Sequence, residues 1–80
     1  MKIAIVKAEY QQDFQIKLLF SDKSEQIVDF AEVLQTAKNP MTRKYLDLDK
    51  FKEFTVEYGD LMWNDYEMCF PTWDLYRNAI

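Results

Sequence analysis

Apolar side chains occupy every second position of one segment, Phe14-Gln15-Ile16-Lys17-Leu18-Leu19-Phe20. Successive side chains of a β-strand point to opposite faces, so this spacing predicts a strand with one face in the core. The following residues 21–24 are polar and typical of a turn, and residues 25–28 again favour a strand. The sequence therefore predicts an antiparallel hairpin at this point of the chain.

Two helices are predicted between this hairpin and the middle of the chain. Asp29 is placed to cap the first helix. One face of that helix is formed by the apolar residues Phe30, Val33, Leu34 and Ala37. We expect Asn39-Pro40 to end it, because proline cannot continue the hydrogen-bond ladder. A second, shorter helix is expected from Asp47 to Phe54.

The C-terminal part returns to strand-like alternation. Residues 55–58, 61–63 and 66–70 are predicted strands, with a tight turn at Gly59-Asp60 and another at Asn64-Asp65. Pro71 suits the first turn of a closing helix. Together with a short apolar strand at residues 3–8, this order predicts an α+β fold. We expect a mainly antiparallel sheet of about five or six strands, with two or three short helices, in one domain of residues 1–80.

The residue types that are missing exclude several functional classes. The 80 residues contain no histidine, which excludes histidine-based nucleophiles and histidine-ligated zinc sites. One glycine, Gly59, is too few for a glycine-rich phosphate loop, and one cysteine, Cys69, cannot form an internal disulfide. We expect Cys69 to be a small buried apolar residue. The sequence shows no secretory signal and no apolar run of membrane-spanning length, so we expect a cytoplasmic protein without membrane contact.

The spacing of the carboxylates does not indicate a catalytic or metal-binding site. Asp47 and Asp49 are explained by the capping of a helix. Asp60, Asp65 and Glu67 come from adjacent turns and could converge on Mg²⁺ or Ca²⁺, although turn formation explains them more simply. We therefore expect no cofactor, no metal and no enzymatic activity. A metal-dependent enzyme that uses carboxylates remains a third interpretation.

Charge is distributed unevenly, although the net charge is only −4. Residues 53–74 hold six acidic side chains and no basic one. This pattern fits either a solvated surface or an acidic face that steers a basic protein partner. The alternative function is a nucleic-acid or regulatory contact through the five basic residues of segment 38–52, although the net charge makes nucleic acid an unfavoured partner. These residues are Lys38, Arg43, Lys44, Lys50 and Lys52.

Aromatic residues are numerous, with six Phe, five Tyr and two Trp. Five of them are difficult to bury together in so small a domain, namely Tyr10, Tyr58, Tyr66, Trp73 and Tyr76. A surplus of tyrosine and tryptophan is typical of an interface, although core packing explains any one of them and a homodimer would also use them. The candidate partner-binding residues are Glu57, Asp60, Asp65, Glu67, Trp73 and Tyr76.

Several segments occur in an order that resembles a known family. They are the hairpin at residues 16–22, Val28-Asp29-Phe30, the join Phe51-Lys52-Glu53-Phe54-Thr55-Val56, Trp63 after the Gly59 hairpin, and Pro71-Thr72-Trp73-Asp74-Leu75-Tyr76. Together they resemble the small bacterial domain-of-unknown-function family 2442. The chain departs from the family at Asp22-Lys23, where the family usually has Asp-Gly, and in the apolar residues before Thr72.

This resemblance implies a compact α+β domain without an established activity, often encoded beside a second small protein in what looks like a toxin–antitoxin pair. We therefore expect a non-enzymatic protein-binding module, an antitoxin-like partner of a neighbouring small protein.

Overall fold

The computed structural model describes residues 2–80, and in that range the chain forms six strands in two sheets. The first sheet contains β1 (Ile5–Tyr10), β2 (Gln15–Phe20) and β3 (Glu25–Asp29), with β2 in the centre and antiparallel pairing throughout. The alternating residues Ile16, Leu18 and Phe20 are buried, which confirms the strand predicted from them. β1 begins at Ile5 rather than at Ile3.

The second sheet contains β4 (Thr55–Glu57), β5 (Asp60–Trp63) and β6 (Met68–Cys69), again antiparallel and in that order. The predicted α+β class and antiparallel pairing are confirmed, with the strands divided between two sheets. The backbone N–H of Ile5 donates to the carbonyl of Gly59 at 2.9 Å. This bond connects the first strand to the turn between β4 and β5.

The β4–β5 turn consists of Tyr58 and Gly59, whose φ angles are both positive, at 56° and 82°. Glu57 and Asp60 pair across these two residues, so the turn has the type I′ form that suits a two-residue hairpin. Asp60, which the sequence placed in the turn, is the first residue of β5. Glycine is also required because a Cβ at position 59 would lie 2.8 Å from the Cβ of Ala4.

Short helices connect and close the sheets: α1 (Ala31–Thr36), α2 (Pro40–Arg43), a 3-10 helix (Lys44–Leu46), α3 (Leu48–Phe51) and α4 (Thr72–Tyr76). The predicted caps form. Asp29 Oδ1 accepts from the N–H of Ala31 at 2.9 Å, and Asp47 Oδ1 accepts from the N–H of Asp49 at 3.0 Å.

Two predicted helix boundaries are wrong. The first helix already ends at Thr36, and Pro40 begins α2 instead, with Asn39 accepting from the N–H of Met41 at 2.9 Å. A proline at the first helical position loses no hydrogen bond, so the same residue that blocks one helix can begin the next. α3 ends at Phe51 rather than at Phe54.

Trp63 of the second sheet packs against aromatic residues from other parts of the chain. Its side chain is fully buried, and its ring centroid lies 5.6 Å from those of both Phe30 and Phe51. The indole Nε1–H donates to the carbonyl of Phe51 at 2.7 Å, which satisfies the polar atom of the side chain. Phe30 follows the first sheet and Phe51 belongs to α3, so one residue of the second sheet contacts both. Among residues 2–80, no helix has the length and apolar character needed to span a lipid bilayer.

Candidate protein-binding surface

Three of the five surplus aromatic side chains are exposed. Tyr58 is 87% exposed, Trp73 is 51% exposed and Tyr66 is 47% exposed. Tyr58 lies in the β4–β5 turn, Tyr66 in the β5–β6 turn and Trp73 in α4. All three lie around Asp60, and we call them the aromatic edge.

The Asp60 carboxylate accepts hydrogen bonds from residues that form or position the aromatic edge. Its Oδ1 accepts from the hydroxyl of Thr72 at 3.1 Å, and the hydroxyl of Tyr66 lies 3.5 Å from its Oδ2. Thr72 is the first residue of α4, so this bond holds the helix that carries Trp73 against the β4–β5 turn. Tyr58, Trp73 and Asp60 line one cleft of about 270 Å³, called here the Asp60 cleft.

A second carboxylate lies beside Asp60. Glu57 is its direct cross-strand partner, and like charges in opposite positions destabilise a sheet. Partial burial and then the charge of Asp60, with a smaller effect of Glu57, raise the pKa of Tyr66. The phenol therefore stays protonated and can donate a hydrogen bond. This end of the hairpin is thus a negatively charged surface next to exposed rings.

Tyr10 and Tyr76 have structural contacts instead. The ammonium group of Lys52 lies 4.8 Å from the centroid of the Tyr10 ring. The Tyr76 ring packs edge-on against Phe20 at 5.0 Å, and its hydroxyl donates to Asp22 Oδ2 at 2.6 Å. Tyr76, a candidate partner-binding residue, therefore holds α4 against the first sheet.

Glu67, another candidate, is also engaged within the chain. Its carboxylate forms an ion pair with Lys44 and accepts from the Tyr45 hydroxyl at 2.6 Å. The hydrogen bond from Lys44 and then that from Tyr45 hold the pKa of Glu67 below its ordinary value. Burial and the hydrogen bond to Glu67 raise the pKa of Tyr45, which is almost fully buried. Glu67 thus stabilises the fold, which leaves little of its charge for a partner.

The basic and acidic segments do not form separate faces. A cleft of about 580 Å³ is lined by Lys44 and Lys50 from the basic segment and by Glu57 and Asp65 from the acidic one. Asp65 is exposed there. The two patches that the sequence suggested therefore partly neutralise each other.

Of the other basic side chains, Arg43 has contacts within the chain, while Lys38 and Lys50 are exposed. Arg43 Nη1 donates to the carbonyls of Gln35 and Ala37, at 2.9 and 3.2 Å, and so closes the C-terminal end of α1. Three of the five bases of the basic segment, Arg43, Lys44 and Lys52, therefore already have contacts within the chain.

Tyr58 and Tyr66 were among the five surplus aromatic residues of the sequence but not among the candidate partner-binding residues. Both have positive φ, at 56° and 68°, which is unfavourable for a bulky side chain and is concentrated at functional sites in proteins. For Tyr58 a signal was present in the sequence, because a type I′ turn before Gly59 favours asparagine where this chain has tyrosine.

The cysteine and the carboxylates do not form a metal site. In the part of the chain that the structure describes, no group of three or more such ligands is placed to hold a metal ion, so Asp60, Asp65 and Glu67 do not converge. The prediction of a buried Cys69 is wrong, because the side chain is exposed at the edge of the second sheet. Partial burial and the charge of Asp60 raise the pKa of the Cys69 thiol, which keeps it in the less reactive form.

The fold and this surface define a small α+β domain with an exposed, acidic aromatic edge. Comparison with family models, with curated proteins and with solved structures finds no match to this chain. The resemblance to family 2442 and the antitoxin-like role that it implies stay predictions.

Proposed function

We propose that this chain is a non-enzymatic protein-binding module that docks a partner on the aromatic edge. Tyr58 is the observation that carries the proposal. Its ring is 87% exposed and adds almost nothing to the core. Its positive φ costs about 1 kcal/mol for a side chain of this size. Contacts of the ring with a partner would account for an aromatic residue that is both strained and unburied.

Trp73 supports the same surface. Tryptophan and tyrosine are the residue types that contribute most to binding energy at protein interfaces. The Thr72–Asp60 hydrogen bond fixes the start of α4, so that Trp73 is presented on a held element rather than on a loose terminus. A pre-organised anchor loses less entropy on binding.

The charge of the surface favours a basic protein as the partner. Asp60 adds a negative charge beside the exposed rings. Glu57 is its cross-strand neighbour, although it also lines the cleft that contains Lys44 and Lys50. Complementary charge accelerates association and excludes acidic competitors. Following the resemblance, the partner would be a small protein encoded by a neighbouring gene in the cytoplasm, with this chain as the antitoxin-like member.

Size-exclusion chromatography with light scattering tests the proposal, on the chain alone and after co-expression with the protein encoded next to it. We expect a stable mixed complex that is lost in the Tyr58→Ala/Trp73→Ala double variant. Ile27→Ala is the matched control, because Ile27 is as exposed as Trp73, at 51%, but lies in the first sheet. No mixed species, or a complex that survives the double variant, would contradict the proposal. A dimer of the chain alone would instead indicate self-association.

The alternative of nucleic-acid binding has weaker support, because Arg43, Lys44 and Lys52 already have contacts within the chain. It predicts that affinity for a single-stranded oligonucleotide falls steeply with salt, by about one unit of log–log slope per phosphate contact. An affinity that does not change with salt concentration would exclude nucleic-acid binding through these residues.

A further inference from the structure

Trp73 lies between two neighbouring clefts. The first is the Asp60 cleft, and the second, of about 200 Å³, includes Tyr76 in its lining and is called here the Tyr76 cleft. Lys2, Ile3 and Trp73 line both clefts. A ligand that occupies one cleft is therefore within reach of the other across the Trp73 ring.

The Asp60 cleft has the chemistry of a cation site. Its lining combines the Asp60 carboxylate with two exposed aromatic side chains, Tyr58 and Trp73. Lys2 is the basic residue of this lining and is exposed to solvent. Lysine and arginine side chains are attracted both by a carboxylate and by the faces of aromatic rings. The Tyr66 hydroxyl is at the limit of hydrogen-bond distance from Asp60 Oδ2, at 3.5 Å, so this oxygen keeps the capacity for a stronger donor.

The Tyr76 cleft has the chemistry of an apolar site. Ile3, Trp73 and Tyr76 contribute carbon-rich surface to it, and the polar part of the lining comes from Lys2, Ser21 and Asp22. The polar atom of Tyr76 is already engaged, because its hydroxyl donates to Asp22. What the cleft offers a partner is therefore mainly ring and aliphatic surface, which favours an apolar side chain.

We propose that the two clefts together receive one extended segment of a basic protein partner, with a lysine or arginine side chain in the Asp60 cleft and an apolar side chain in the Tyr76 cleft. In an extended segment, residues two positions apart lie on the same face, so one lysine and one leucine at that spacing reach both clefts across Trp73. This inference rests on the proposed function, because it names the partner chemistry of the same surface.

Charge complementarity selects this occupant over others. The chain has a net charge of −4, and the two clefts together are lined by two carboxylates, those of Asp22 and Asp60, and by one ammonium group, that of Lys2. A nucleic acid or a second copy of the chain would bring further negative charge to this place and be repelled. A basic segment is attracted.

An NMR titration with short peptides tests the inference. The probe is a capped pentapeptide, Ser-Lys-Ser-Leu-Ser, and the matched peptides replace its lysine with glutamine or its leucine with serine. We expect the probe to shift the indole signal of Trp73 and to bind about fivefold more tightly than the glutamine peptide. The Trp63 indole is buried and bonded to Phe51, so it reports whether each variant is folded.

Two variants distinguish binding in the Asp60 cleft from electrostatic attraction to the net charge of the chain. Asp60→Asn keeps an acceptor for Thr72 but removes the charge, and should reduce the preference for the lysine peptide to the smaller part that the rings contribute. Glu32→Gln removes one charge from an exposed position on α1 and should change nothing. Equal binding of the two peptides to the unmodified chain, or an equal effect of both variants, would overturn the inference.

The failure of this inference can be distinguished from the failure of the proposed function. If the peptides do not discriminate but the mixed complex forms and requires Tyr58 and Trp73, the inference falls and the protein-binding function stands. If no mixed complex forms, the proposed function itself falls. A single-stranded oligonucleotide that shifts Trp73 in place of the peptide would overturn both.

Discussion

Tyr58 combines an unfavourable backbone conformation with an exposed ring, and substitution can separate the two. Asparagine is favoured at this position of a type I′ turn, so Tyr58→Asn should raise the free energy of unfolding by about 0.5–1 kcal/mol. The same change removes the ring and should weaken partner binding. Urea unfolding and a binding titration on one preparation check both effects. A less stable variant would show that the backbone of Tyr58 is not strained. A variant that binds the partner normally would show that the Tyr58 ring is not part of the interface.

Lys23 has a similar conformation in the β2–β3 turn but without an exposed aromatic ring. Its φ is 74°, and its N–H donates to the carbonyl of Phe20 at 2.9 Å. Lys23→Gly should raise the free energy of unfolding by about 0.5 kcal/mol, because relief of the left-handed conformation exceeds the entropy that glycine adds to the unfolded chain. The measurement is urea unfolding. Lys38→Gly, at a residue without positive φ, is the control and should lower stability.

At the level of elements, α4 is too short to be stable by itself and depends on its tertiary contacts. Asp22 is central among them. Hydrogen bonds from Ser24 and then from the Tyr76 hydroxyl hold the pKa of Asp22 below its ordinary value of 3.8. A carboxylate whose pKa is lower in the folded state stabilises the fold above its unfolded pKa. That contribution is lost as the pH falls through the folded pKa.

We therefore expect the free energy of unfolding to decrease below about pH 4, and to decrease less in Asp22→Asn. Urea titrations at a series of pH values measure it. Tyr76→Phe removes one of the donors and should flatten part of the dependence. The pKa of Glu67 is also lowered in the folded chain, so some pH dependence of the free energy of unfolding should remain in both variants. The prediction fails if Asp22→Asn has the same pH profile as the unmodified chain.

Elements were predictable where local pattern determines them. β2 could be predicted because its alternation is local, and the cap at Asp47 because a side chain bonds a backbone only two residues away. α2 was missed, since Pro40 is compatible with the end of one helix and the start of another. The division into two sheets depends on long-range contacts such as the bond from Ile5 to Gly59, which no local pattern encodes.

At the scale of the whole molecule, the same limit applies to the site. Trp73 and Asp60 could be selected from the sequence because aromatic surplus and charge are visible there, and the structure brings them into one cleft. Glu67 and Tyr76 look equally available in the sequence. In the structure, however, Glu67 pairs with Lys44, 23 positions away, and Tyr76 bonds to Asp22, 54 positions away. Which charges stay free is decided only when the chain folds.

The acidic surface should therefore steer a basic partner through particular carboxylates rather than through total charge. The Glu57→Gln/Asp60→Asn double variant should slow association by about three- to tenfold at low salt and reduce its salt dependence. It should not lower stability, because it relieves a cross-strand repulsion. Stopped-flow measurements at two ionic strengths check the rates.

The matched control is Glu25→Gln/Glu32→Gln, which removes the same two charges from exposed positions outside the aromatic edge. It should leave the association rate nearly unchanged. Glu67→Gln should instead lower stability, because Lys44 loses its ion pair and the buried Tyr45 hydroxyl loses a charged acceptor. Equal slowing by the two double variants would show that steering follows the net charge of the molecule, and the hairpin end would then have no special part in recognition.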